Sequence, residues 1–168
     1  MTIPTLRTAR LRLRPLREDD LDAYATMCAD PEVMRFIGAG GPIDRAQAWR
    51  QMAMFVGAWS LQGVGMWAVQ RAEDGRLIGR VGYLNPPDWP HVELGWLLGR
   101  EAWGLGYAQE AARAALAWGR DAAGIDRPIS MVRPQNLRSI ALAQRLGARL
   151  EAERELMGAA VLVFRHGR

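Results

Sequence analysis

The hydrophobic pattern of the chain switches between a period of two and a period near 3.6, and each switch marks an element. Residues 5–14 read as a strand in which Leu11 and Leu13 alternate with Arg10, Arg12 and Arg14, putting the three arginines on one solvated face. Helical patterns follow at 18–28 and 44–61, the second opening on Asp44 as its N-cap. Gly38-Ala39-Gly40-Gly41-Pro42 between them reads as a flexible connection. Strands are predicted at 66–71, 77–84 and 91–98, the first pair turned by Glu73-Asp74-Gly75-Arg76. A helix at 106–120, a strand at 129–132, a helix at 136–146 and a strand pair at 149–155 and 160–166 complete the chain. This order predicts one α+β domain over residues 1–168 with a mostly antiparallel sheet.

Composition removes several classes of function. All 22 Lys+Arg residues are arginine and the net charge is +4. Without lysine there is no Walker loop. Cys28 is the single cysteine and reads as a small buried hydrophobe, so an internal disulfide is excluded. His91 and His166 stand far apart and offer no metal cluster. No zinc spacing or recognition helix accompanies the arginines, which argues against nucleic acid as a partner. Neither a leader-like apolar stretch nor a membrane-length run is present, so a cytoplasmic protein with no membrane partner is expected.

Two segments carry candidate chemistry. In the first, the apolar strand Glu93-Leu94-Gly95-Trp96-Leu97-Leu98 runs into Trp103-Gly104-Leu105-Gly106-Tyr107-Ala108 and then an alanine-rich helix. Strand, glycine loop and helix start together leave unpaired N–H groups and a positive helix end at one place, which suits a phosphate. The third glycine of a dinucleotide fingerprint is replaced by Gln109, and Gly-x-Gly by itself equally suits a plain strand–turn–helix connection. In the second segment Pro134 stops a strand, Asn136 caps a helix with Leu137, Ile140, Ala141 and Leu146 as its apolar stripe, and Gly147 ends it. Capping alone would account for Asn136.

Taken in order with the opening Leu6-Arg7-Thr8-Ala9-Arg10-Leu11-Arg12-Leu13-Arg14-Pro15-Leu16, these segments resemble the GNAT superfamily of N-acetyltransferases, in its RimJ/RimL-like branch. The resemblance covers nearly the whole chain. Two positions depart from it: Glu101 stands where Gln or Arg often begins the phosphate loop, and Gly147-Ala148 replaces Gly-Phe. It implies a central sheet splayed between its two middle strands, flanked by about four helices, and acetyl-CoA as co-substrate without a metal. By resemblance the pyrophosphate would lie on the N–H groups from Trp103 through Gly104, Leu105, Gly106 and Tyr107 to Ala108. The pantetheine arm would pair with Trp96, Leu97 and Leu98, with Asn136 on its amides. One N–H near Leu97 or Leu98 would polarise the thioester carbonyl.

The implied reaction is attack of a primary amine, on a protein N-terminus or a small molecule, in a ternary complex. Glu93 lies on the strand face opposite Val92, Leu94 and Trp96 and is the candidate base; a strand carboxylate facing water or an arginine is the other reading. Ser139, one turn after Asn136, either gives a proton to the departing thiolate or only binds the cofactor. Glu110 is assigned a structural role. The acceptor pocket is expected around Met34-Arg35-Phe36, the helix bearing Trp49 and the 85–90 loop, with Phe36, Trp67 and Trp89 as substrate contacts. A non-catalytic acyl-CoA-binding module is the alternative function, and a homodimer is compatible with the tryptophan content and the closing strand.

Overall fold

The computed structural model describes residues 2–87 and 89–167. Its strands are β1 (Leu6–Arg7), β2 (Leu11–Arg14), β3 (Met66–Arg71), β4 (Leu77–Leu84), β5 (Glu93–Leu98), β6 (Ile129–Val132), β7 (Arg149–Leu156) and β8 (Ala159–Arg165). The helices are α1 (Leu21–Cys28), α2 (Pro31–Met34), α3 (Arg45–Gln62), α4 (Tyr107–Ala122) and α5 (Leu137–Arg145). All eight strands join one sheet in the order β1-β2-β3-β4-β5-β6-β8-β7. Each neighbouring pair is antiparallel except β5 and β6. The fold is α+β, as the element order predicts. The helix beyond the expected four is α2, a single turn begun by Asp30, whose side chain accepts from the Glu32 N–H, with Pro31 at the first helical position. Among the described residues no helix is long and apolar enough to cross a membrane.

The two faces of the sheet are covered differently. Leu13, Val69, Val81, Leu94 and Leu98 meet α4 on one face, and Met66, Ala68 and Leu97 meet α1, α2 and α3 on the other. Alanines 111, 112 and 115 are fully buried and let α4 approach the sheet closely. Tyr83 donates its hydroxyl to the Ala115 carbonyl at 2.9 Å, and a Cβ at Gly119 would lie 2.1 Å from that hydroxyl. Gly119 is therefore required by space.

The first strand is not continuous. It breaks between Arg7 and Leu11 because Glu110, at the start of α4, draws the intervening bend towards itself. Its carboxylate accepts from the Thr8 hydroxyl at 2.6 Å, the Arg10 N–H at 2.8 Å and the Arg10 Nε at 2.7 Å. These donors hold the Glu110 carboxyl below its usual range against the opposing effect of partial burial. The three arginines expected on a solvated face also part company. Arg14 is 5% exposed and forms two hydrogen bonds, 2.7 and 2.8 Å, with the buried carboxylate of Asp20.

Candidate active site

β5 positions the site because it is paired fully on one side and barely on the other. It follows β4 from Glu93 to Leu98 but meets β6 only at Glu93 and Ile129. The last ties before the strands diverge are the Ile129 N–H to the Val92 carbonyl, 2.9 Å, and the Ser130 hydroxyl to the Leu94 carbonyl, 2.7 Å. Main-chain groups alternate sides along a strand. Trp96 and Leu98 consequently turn their N–H groups into the opening, while Leu97 turns towards β4, where its carbonyl lies 2.2 Å from the place a Cβ on Gly79 would take. Of the two N–H groups expected at the thioester, Leu97 is therefore committed to the sheet and Leu98 is free. The Leu98 carbonyl accepts the Trp103 indole N–H at 2.9 Å.

A cavity of about 600 Å³ fills the opening. Its wall includes Trp96, Leu97, Leu98, Trp103, Gly104, Gly106, Tyr107, Ala108, Asn136 and Ser139. Gly104 and Gly106 have φ of 74° and 82°, a left-handed conformation that disfavours other residues. Gly106 precedes α4 without a side-chain cap, so the N–H groups of Tyr107, Ala108 and Gln109 have no intrahelical acceptor. Leu105 points away: it is half exposed, stands outside the cavity wall, and its carbonyl accepts from Arg10 at 3.0 Å.

A second cavity of about 750 Å³ lies beyond the opening, and the two share Phe36, Ile37, Trp96, Asn136 and Ser139. Glu93 lines this second space. Burial pushes its carboxyl above the usual range, and the Trp89 indole N–H, 2.7 Å from Oε2, together with the Met131 N–H and the charge of Arg80, pulls part of the way back. At the junction, the Trp96 indole N–H donates to the Ser139 hydroxyl oxygen at 3.1 Å. The hydroxyl keeps its own proton to give elsewhere. Asn136 accepts the Ser139 N–H on its side-chain oxygen at 3.2 Å, which leaves its amide nitrogen for the cavity.

A splayed sheet, an uncapped glycine loop and a second helix start across the gap are the parts that the resemblance implies, and they sit together. Residues 10–149 match the family described as acetyltransferase (GNAT) domain. The chain is a GNAT acetyltransferase. It is 31% identical to N-acetyltransferase p20 of Bacillus licheniformis, itself uncharacterised, over 88% of this chain and 83% of that one. A crystal structure of an acetyltransferase from Agrobacterium tumefaciens superposes with a TM-score of 0.88 at 38% identity, covering 100% of this chain and 96% of the other. The fold alone is shared with RimL, a ribosomal L7/L12 alpha-N-protein acetyltransferase solved with coenzyme A: TM-score 0.80, 15% identity, 97% of each chain.

The acetyltransferase cavity suits the anionic, amide-bearing cofactor of its family, because free main-chain donors line it together with Arg35, Arg138 and Arg145. The sequence reading missed Arg138 and Arg145 and expected Arg35 on the acceptor side, whereas it lines the cofactor cavity. Arg138 lies over the Trp103 ring at 3.8 Å. Arg138 and Arg145 are two helical turns apart on one face of α5, which is the signal that could have found them.

One expected substrate contact is corrected. Trp67 is fully buried, its indole N–H donates to the Pro4 carbonyl at 2.8 Å, and it meets Trp59 and Trp118 edge to face at 4.8 and 5.0 Å. It is core and lines neither cavity. Phe36 and Trp89 do line the second cavity, and α3 supplies Gln51, Met54, Phe55, Ala58 and Leu61 to it while Trp49 does not.

Proposed function

We propose that this single-domain acetyltransferase acetylates a primary amine held in the 750 Å³ cavity, with Glu93 as base and Ser139 as proton donor. The observation that carries the proposal is the meeting of the two cavities at Trp96 and Ser139, with Glu93 on the far side of the junction. Acetyl-CoA, when bound, supplies an activated thioester and a thiolate leaving group. Trp103 to Ala108 and the arginines of α5 would hold its phosphates, and Asn136 its amides. The chain's own groups account for the remaining needs. Glu93, with its carboxyl raised by burial, takes the ammonium proton at Oε1 or Oε2, directly or through water. The Leu98 N–H, fixed by the strand, donates to developing negative charge, an effect worth roughly 3 kcal/mol in other enzymes. Ser139 Oγ, oriented by Trp96, delivers the proton that the thiolate needs and regains one from the second proton that leaves the attacking nitrogen.

The test is CoA release across a panel of short peptides, polyamines and aminoglycosides, with Glu93→Gln/Ser139→Ala beside the parent. Turnover in the parent and its loss in the double variant, with acetyl-CoA still bound, are expected. Turnover at the parent rate in the double variant would overturn both assignments.

A further inference from the structure

Two arginines are equally buried and differently partnered. Arg14 and Arg80 are each 5% exposed. Arg14 has the Asp20 carboxylate on two of its nitrogens. Arg80 is in direct contact with neutral groups only, although its charge also reaches Glu93: its Nε donates to the Tyr24 hydroxyl at 2.9 Å, its Nη1 reaches the Met66 sulfur at 3.6 Å, and its guanidinium lies over the Phe55 ring at 4.7 Å. A thioether is a weak acceptor. Among the described residues no carboxylate comes within ion-pair distance of Arg80, although seven other arginines have one. Burying a guanidinium without an anion is costly.

Arg80 also lines the acceptor cavity. Its orientation is held by a chain of neutral groups, since the Tyr24 hydroxyl passes its own proton to Gln51 Oε1 at 2.5 Å. Burial keeps that phenol protonated, its pKa pushed up to about 12, so the order of donors is fixed. Gln51 lines the same cavity, and its side-chain nitrogen has no protein acceptor among the described residues. The charged residues described in the wall are Arg80, Arg133 and Glu93. Leu84 is the β4 partner of Glu93. Arg80 lies four residues before Leu84 on the same sheet face, about 13 Å along the strand. Arg80 is itself the β4 partner of Leu97, which lines the cofactor cavity, so the cationic group stands at the level of the reaction junction and Glu93 lies four residues back along β5, with apolar walls around them.

We propose that the acceptor is an amine that also carries a carboxylate, and that Arg80, seconded by Gln51, binds the carboxylate. The inference rests on the acetyltransferase reading of this cavity and names the class of molecule that enters it. A guanidinium fork matches the two oxygens of a carboxylate, its place at the level of the junction suits a carboxylate close to the reacting amine, and the apolar walls suit the remaining carbon chain.

The test uses matched pairs that differ only in the carboxylate: leucine and leucinamide, 6-aminohexanoate and its amide, and Ala-Glu and Ala-Gln dipeptide amides. Acetyl transfer to each is measured on the parent enzyme, and binding of each without acetyl-CoA is measured by calorimetry. The acid of at least one pair should exceed its amide by about tenfold to a hundredfold in kcat/KM, carried by KM, with the same order in calorimetry. The pair that responds identifies the source as a free amino acid, an ω-amino acid or an acidic peptide. Arg80→Met should bring the ratio towards one without lowering the melting temperature, and Arg80→Lys should fall between. Equal use of acid and amide in all three pairs would overturn the proposal, and this arm needs no variant to fold. Selective binding of a carboxylate without any turnover would support the Arg80 site and count against the catalytic reading.

Discussion

The two cavities that meet at Trp96 are made in opposite ways. The cofactor side takes most of its wall from two stretches, 96–109 and 136–145, and offers mainly main-chain N–H groups and a helix start. The acceptor side gathers side chains from α3, β4, the loop after it, β5, β6 and the β7–β8 turn. A main-chain site needs glycine at set positions and a helix beginning at a set place, so substitution there changes whether the cofactor binds. A side-chain site leaves the backbone alone, so substitution there changes what reacts and at which pH.

The largest expected effect sets the chemistry against the cradle. Glu93→Gln keeps the shape and removes the base, and kcat should fall by about 10²- to 10⁴-fold. CoA affinity, measured by calorimetry, should stay at the parent value because Glu93 lies outside the cofactor cavity. A parallel loss of CoA affinity would show that the two sides are one site.

The tie between β5 and β6 should be sensitive to acid. Ser130 gives its proton to the Leu94 carbonyl, so His166 Nε2, 2.8 Å from the same hydroxyl oxygen, must donate to it, leaving Nδ1 bare. Burial pushes His166 from 6.5 down to about 4. The unfolded chain therefore takes up this proton first as the pH falls, and stability present above pH 6.5 is lost on the way to 4. The full loss is about 3 kcal/mol. Glu93, raised by burial, acts with the opposite sign, favouring the fold as pH falls through its own titration. The depressed carboxyls Asp30, Asp74, Glu110, Asp121 and Glu151 titrate below their ordinary range, so the upper part of the window belongs to His166. Denaturant unfolding between pH 4.5 and 7 should show the slope in the parent and a flatter line in His166→Gln.

A smaller effect is expected on the cradle itself. Valine at Gly106 would place a β-branched residue at φ 82°. The strain is about 1–3 kcal/mol. It should appear as a tenfold or greater weakening of CoA binding, while the pH at which Glu93 titrates in the apo protein stays put. An unchanged CoA affinity would mean that the loop is a plain connection.

The same division explains what could be read from the sequence. Strands at 66–71, 77–84 and 129–132 have the expected bounds, because turn residues close them off: Gly65, the Glu73-Asp74-Gly75 turn, Asn85-Pro86, and Pro128 and Pro134. The cradle was legible for the reason that its chemistry is main chain. Trp67 was misplaced because both its neighbours, Met66 and Ala68, are also buried, and a strand covered on two faces gives no alternation to show which side a residue takes. The break at Arg10 depends on Glu110, one hundred residues away, and Arg80 depends on Tyr24 and Gln51. Such contacts are set by topology and leave no local mark.

The smallest effect separates a base from its support. Trp89 donates to Glu93 Oε2 and so favours the charged carboxylate. Phenylalanine there keeps the ring and removes the donor, which raises the pKa of Glu93 further. Because the base works deprotonated, the acidic limb of the kcat/KM profile should move to higher pH, with kcat above that limb near the parent value. A limb that stays in place while KM rises would make Trp89 a substrate contact with no hold on the base. A limb that moves would show that acceptor-side residues tune the reaction through the carboxylate, which no change in the glycine cradle can do.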